Sequence, residues 1–140
     1  MQTIEEITAD FEYLDDWEDR YRYLIELGRA LPAMPEGAVN DENKVRGCVS
    51  QVWLLSESDQ ATPPHLTFLG ESDAHIVRGL VAIAVALFSG KSAPEILDID
   101  AEAVFARLGL QDHLTPQRSN GLRSMVNRIK TDAKQALAPA

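Results

Sequence analysis

The chain is predicted to fold as an α+β protein, with a small antiparallel sheet of about three strands packed against several helices. Three observations predict this class: helical apolar periodicity before residue 32, a β-branched and aromatic stretch after residue 43, and renewed helical patterns from residue 73 onward. Strands and helices do not alternate, so a two-layer α+β sandwich is expected rather than a doubly wound parallel sheet. With 140 residues, of which 45 % are hydrophobic, the chain can bury one ordinary core, and residues 1–140 are read as a single domain.

Taken in order, Thr3-Ile4-Glu5-Glu6 has capping-box spacing, and Ile4, Ile7, Phe11 and Leu14 follow at helical intervals, predicting a first helix to about Tyr13. Asp15-Asp16-Trp17-Glu18 repeats the start signal. Trp17, Tyr21, Leu24, Ile25, Gly28 and Leu31 then mark one face of a second helix, which Pro32 ends. Pro35, Gly37, Asn40, Asp41 and Asn43 are turn formers with no periodic core face between them, so a loop is expected there. Next come a short strand over 44–46, a turn at Gly47 and Cys48, a strand over 49–56, a polar connection over 57–64 and a strand over 65–69 ending at Gly70. Ser72 or Asp73 can cap a long apolar helix reaching Ser89 and Gly90. Pro94 suits the first turn of a short helix, and Asp100 can cap another that stops at Gly109. A last helix follows the segment 113–121, with Leu122, Met125, Val126, Ile129, Ala133 and Leu137 on one face and Arg123, Arg128, Lys130 and Lys134 on the other.

The formal net charge is −9, which disfavours nucleic acid as a partner, because phosphate binding needs clustered Lys and Arg. Residues 1–43 hold 12 acids and 3 bases and so carry the whole imbalance. The N-terminal sequence lacks a basic start and an apolar run, so a cytoplasmic protein is expected. The most apolar stretch, 76–88, contains Arg78 and falls short of the ~20 residues that cross a bilayer, so no membrane role is expected.

Cys48 is the single cysteine. It can form no internal disulfide and supplies only one thiolate to any metal site, which fits a reducing compartment. A free cysteine is most often a small buried hydrophobe. Here Gly47 permits a tight turn, and Lys44 and Arg46 put positive charge nearby that would favour thiolate over thiol if the side chains converge. The histidines His65, His75 and His113 show no metal-ligand spacing, and nothing local makes one a base for Cys48. Trp53 reads as a core aromatic.

Four separated motifs carry a resemblance. They are Trp17-Glu18-Asp19-Arg20-Tyr21 with Leu24-Ile25-Glu26-Leu27-Gly28; Val45-Arg46-Gly47-Cys48-Val49-Ser50-Gln51-Val52-Trp53; Gly70-Glu71-Ser72-Asp73-Ala74 with Ile76-Val77-Arg78-Gly79-Leu80; and His113-Leu114-Thr115-Pro116 with Arg118-Ser119-Asn120-Gly121-Leu122. Over essentially its whole length the chain resembles the SufE family of sulfur acceptor proteins, including its CsdE branch. The resemblance implies that Cys48 accepts sulfur as a persulfide from a pyridoxal-phosphate-dependent cysteine desulfurase. It also implies that Cys48 is held on a loop at the sheet edge and shielded until that partner docks, that the desulfurase is stimulated, and that sulfur is delivered to a downstream acceptor such as an iron-sulfur scaffold. Arg46 and Gly47 are expected to shape the loop, and His113 and Arg118, which match family positions, to order the region beside it. No cofactor of its own is expected. The family fold is similar to that of IscU-type cluster scaffolds, but a cluster normally takes about four protein ligands and this chain offers one cysteine. Two other classes compete with the carrier: a stand-alone thiol or redox protein, and a module that regulates a desulfurase without accepting sulfur.

Overall fold

The computed structural model describes residues 2–48 and 50–138. Two helices come first. α1 (Ile4–Tyr13) is capped by Thr3, whose side chain accepts the Glu6 N–H, and α2 (Trp17–Arg29) by Asp16, which accepts the Asp19 N–H. Ile7 and Phe11 of α1 and Leu24 and Gly28 of α2 are buried, on the stripes that periodicity predicts; Leu27 is buried as well, and Ile25, expected on the stripe, only partly. Leu31 is also buried, although α2 ends two residues earlier.

The sheet has three antiparallel strands in the order β1 (Val52–Ser58), β2 (His65–Ser72), β3 (Lys91–Ser92). β1 and β2 pair from Val52↔Ser72 to Ser58↔Leu66, and β3 joins through His65↔Ser92 and Leu66↔Lys91. The strand count and antiparallel pairing agree with expectation, but the identity of one strand does not. The predicted strand over 44–46 reduces to a single bridge, Lys44↔Trp53, with Val45 N–H bonded to Val52 O at 2.8 Å. The third strand is instead the two-residue β3, too short for any alternation to reveal. Val49, placed by the sequence at the start of a strand, lies outside the described residues; the strand itself begins at Val52.

Val52 and Leu54 of β1, with Leu66, Phe68, Gly70 and Ser72 of β2, face the core. Gly70 therefore lies within β2 and does not end it: a Cβ there would stand 2.3 Å from Val81 Cγ1 of α3 (His75–Phe88). The alternation that buries Val52 and Leu54 turns Trp53 to the other face, where it is partly exposed and opposite Glu71. Trp53 is thus not a core residue.

α3 is buried along most of its length, and its Arg78 pairs with Glu71 at 2.8 Å. Its N-cap is Ala74 and no side chain there caps it; of the predicted caps, Ser72 Oγ accepts the Ala74 N–H at 3.3 Å but donates to Gln51 O, and Asp73 Oδ1 accepts the Gln51 N–H. α4 (Ala93–Asp98) starts in a capping box of Ser92 and Glu95, with Pro94 in its first turn, and α5 (Ala101–Arg107) is capped by Asp100. Gly109, at φ +74°, turns the chain into a four-residue α6 (Leu110–His113) that the sequence reading did not separate. α7 (Pro116–Leu137) begins at Thr115, which accepts the Arg118 N–H, and buries Gly121, Leu122, Met125, Ile129 and Ala133. Arg128 and Lys130, expected on its solvent face, are partly buried, and Lys130 Nζ donates to Ile99 O at 2.7 Å.

Candidate functional site

Cys48 sits near the tip of a loop tied at both ends to the sheet. On the upstream limb, Val45 is buried and its N–H donates to Val52 O, while Asn43 O accepts the Leu54 N–H at 2.8 Å. On the downstream limb, Ser72 Oγ donates to Gln51 O at 2.7 Å and Asp73 Oδ1 accepts the Gln51 N–H at 3.1 Å. The two residues read as helix caps therefore hold the cysteine loop. Between the limbs Gly47 turns with φ +89°, a conformation costly for residues with a Cβ. A Cβ built there would also stand 2.6 Å from Ser124 Oγ of α7.

The thiol is partly buried against α7, with Sγ donating to Gly121 O at 3.5 Å. A Cβ on Gly121 would lie 3.6 Å from Sγ, an ordinary van der Waals contact. The sulfur borders a cavity of about 230 Å³ whose wall is apolar at Val77, Leu80 and Met125 and polar at Ser50, Thr115, Gln117 and Arg118. Burial pushes the Cys48 thiol above its ordinary pKa. This reverses the expectation that Lys44 and Arg46 would favour thiolate: Arg46 is exposed, and desolvation is the cause of the shift.

The predicted site residues separate into two groups. Gly47 and Arg46 belong to the loop, and Arg118, from the first turn of α7, lines the cavity with Cys48. His113 lies elsewhere: its ring stacks on Trp17 at 4.0 Å between centroids, its Nδ1 is 3.1 Å from Gly109 O, and its backbone carbonyl accepts from Tyr21. His65 pairs with Asp59 at 3.0 Å. None of the three histidines lines the cavity. Sequence reasoning gave no site role to Ser50, Val77, Leu80, Gln117, Ser124 or Met125, although Ser50, Val77 and Leu80 stand in the motifs that carry the resemblance. Gly121 was placed in the segment ahead of the last helix, whereas α7 starts at Pro116 and carries Gly121 within it.

Fold and site together define a small α+β protein that presents one thiol from a tethered loop into a cavity beside a long C-terminal helix. Residues 5–133 match the family model SufE, described as the Fe-S metabolism associated domain, and the chain belongs to the SufE family. It is 59 % identical over 138 residues to an uncharacterized SufE-like protein of Rhizobium meliloti (strain 1021), covering 98 % of this chain and 99 % of that one. A second uncharacterized SufE-like protein, from Rhizobium etli, is 56 % identical over 135 residues, 96 % of this chain and 91 % of its own. The solution structure of a hypothetical protein from Thermus thermophilus has the same fold, with a TM-score of 0.76 over 96 % of this chain and 95 % of that chain at 19 % identity.

Proposed function

We propose that this protein accepts sulfur as a persulfide on Cys48 from a pyridoxal-phosphate-dependent cysteine desulfurase, stimulates that enzyme by clearing its cysteine, and delivers the sulfur for iron-sulfur cluster assembly or a related pathway. The observation that carries this reading is the placement of the sole cysteine: tethered on a loop, partly buried, and facing a cavity bordered by Arg118. In the transfer, the Cys48 thiolate attacks the outer sulfur of the desulfurase Cys–S–SH. The bond between the two sulfurs breaks, the desulfurase cysteine leaves as thiolate, and Cys48–S–SH remains, with no net oxidation or reduction. The pyridoxal phosphate belongs to the partner.

The raised thiol pKa supports a carrier over a stand-alone thiol enzyme, since a nucleophile acting alone at neutral pH is activated by a lowered pKa. It also supports a partner requirement: the buried thiol is slow to react until docking draws it out and supplies charge to the thiolate. Shielding suits the product equally, because a persulfide exposed to solutes is oxidised or reduced before delivery. A reducing compartment such as the cytoplasm fits a single free cysteine.

Intact mass spectrometry after incubation with cysteine and a desulfurase tests the proposal. Wild type gains one sulfur, ~32 Da, and Cys48→Ser gains none. A sulfur gain by Cys48→Ser, or none by wild type while the desulfurase turns over, refutes it.

A further inference from the structure

The cysteine loop lies along one stripe of α7. Gly121, Ser124 and Arg128 are spaced three and four residues apart and so share a helix face. Cys48 meets Gly121, Gly47 meets Ser124, and the upstream limb meets Arg128. The last contact is the most elaborate. Arg128 Nη1 donates to Lys44 O at 3.3 Å, Nη2 donates to Glu42 O at 3.0 Å, and Nε pairs with Asp132 Oδ1 at 3.2 Å. A guanidinium fork serves two main-chain carbonyls and a carboxylate at once, which an ammonium on a flexible stem does poorly. The Asp132 side chain is only 11 % exposed, and its Oδ2 has no hydrogen-bond partner among the described residues. A desolvated carboxylate of this kind depends on its guanidinium partner. The arginine in turn is held by a residue one helical turn away.

With the downstream limb fixed at Gln51 by Ser72 and Asp73, both limbs of the loop are tied, and between them the Cys48 thiol donates to Gly121 O. We propose that Arg128, backed by Asp132, is a positioning residue for Cys48. It clamps the upstream base of the loop so that the cysteine leaves and re-enters its cavity as a short tip on a fixed base. The purpose assigned to that movement rests on the sulfur-acceptor reading; the clamp itself is measurable on the free protein.

The test compares wild type, Arg128→Lys, and the double variant Arg128→Met with Asp132→Leu, which removes the buried carboxylate together with its partner. Two quantities are read without a desulfurase: the rate of Cys48 alkylation by iodoacetamide, and amide hydrogen exchange over residues 43–52 and over α3. The double variant is expected to alkylate about tenfold faster, equivalent to ~1.4 kcal/mol of loop opening, with exchange accelerated over 43–52 and unchanged in α3. Arg128→Lys should show the same pattern at smaller size, and it decides the matter if the double variant does not fold. Alkylation at the wild-type rate overturns the proposal. So does exchange accelerated equally in α3, which would mark Arg128 as a general structural residue. Wild type that fails to gain sulfur from a desulfurase sinks the acceptor reading and leaves these two measurements standing.

Discussion

The crossing of α2 and α3 allows one substitution to be predicted in some detail. The helices meet at Gly28 and Gly79, and a Cβ on Gly79 would lie 2.2 Å from Leu24 O, 2.7 Å from Leu24 C and 3.0 Å from Leu24 Cα. A carbon and a carbonyl oxygen normally approach no closer than ~3.3 Å, so in Gly79→Ala the helices must separate by about 1 Å. The obstructing atoms are backbone and cannot rotate aside. Overpacking of this kind costs about 3 kcal/mol, the upper end of its usual range, because Leu24 and Leu80 on the facing helices are fully buried and must shift as well. Replacing a helical glycine by alanine returns ~1 kcal/mol. The net loss of ~2 kcal/mol lowers Tm by about 7 °C for a chain of this size. Gly121→Ala is the matched control: it is also a glycine inside a helix, but its Cβ would meet Cys48 Sγ at an ordinary 3.6 Å. It should melt at or slightly above wild type. Thermal unfolding followed by circular dichroism checks both, and a Gly79→Ala melting at or above wild type would falsify the close-crossing argument.

Two further outcomes concern the thiol. Gly47→Ala places a Cβ at φ +89° and against Ser124 Oγ, so the turn should open and Cys48 should alkylate several-fold faster, with a loss of stability of ~1–2 kcal/mol, the cost of a left-handed residue; wild-type alkylation would show that the turn is not what holds the thiol. The pH dependence follows from burial. Folding raises the Cys48 pKa, so its contribution to stability is present below the unfolded value of about 9.0 and is lost as pH rises through the folded one. Urea unfolding at pH 7 and pH 10 should show wild type losing stability relative to Cys48→Ser, and alkylation rates should inflect above the value of a free cysteine. An inflection at or below that value would mean that the loop does not desolvate the sulfur.

What the sequence made legible was local. Caps at Thr3, Asp16, Asp100 and Pro94's short helix are decided within one turn of chain, and most of the apolar stripes of α1, α2 and α7 by spacing alone, although Leu137, expected on the apolar face of α7, is 41 % exposed. The misplacements share a cause: a distant partner. Lys44 sits in a strand-like stretch yet makes one bridge, while Lys91 and Ser92 become β3 because β2 offers an open edge at His65 and Leu66. Ser72 and Asp73 have the side chains of helix caps, but Gln51, about 20 residues away, claims them. Cys48 and Gly47 stood out as a reactive-turn pair, whereas the face of α7 that receives them lies more than 70 residues along the chain. Arg128 looked like a solvated charge because nothing in its helix shows that two carbonyls of the cysteine loop will lie against it.

The tied limbs of the cysteine loop also set a distance. Cys48 stands three residues from each fixed point, Val45 and Gln51, and a fully extended chain spans ~3.5 Å per residue, so its Cα can reach about 10 Å from its tethers and its side chain carries the sulfur roughly 3 Å beyond that. Any group that exchanges an atom with this thiol must therefore come within that radius. The docking face of whatever delivers or receives the atom has to fit closely around residues 44–52, and a donor recessed more deeply than the tether can reach is excluded by length alone.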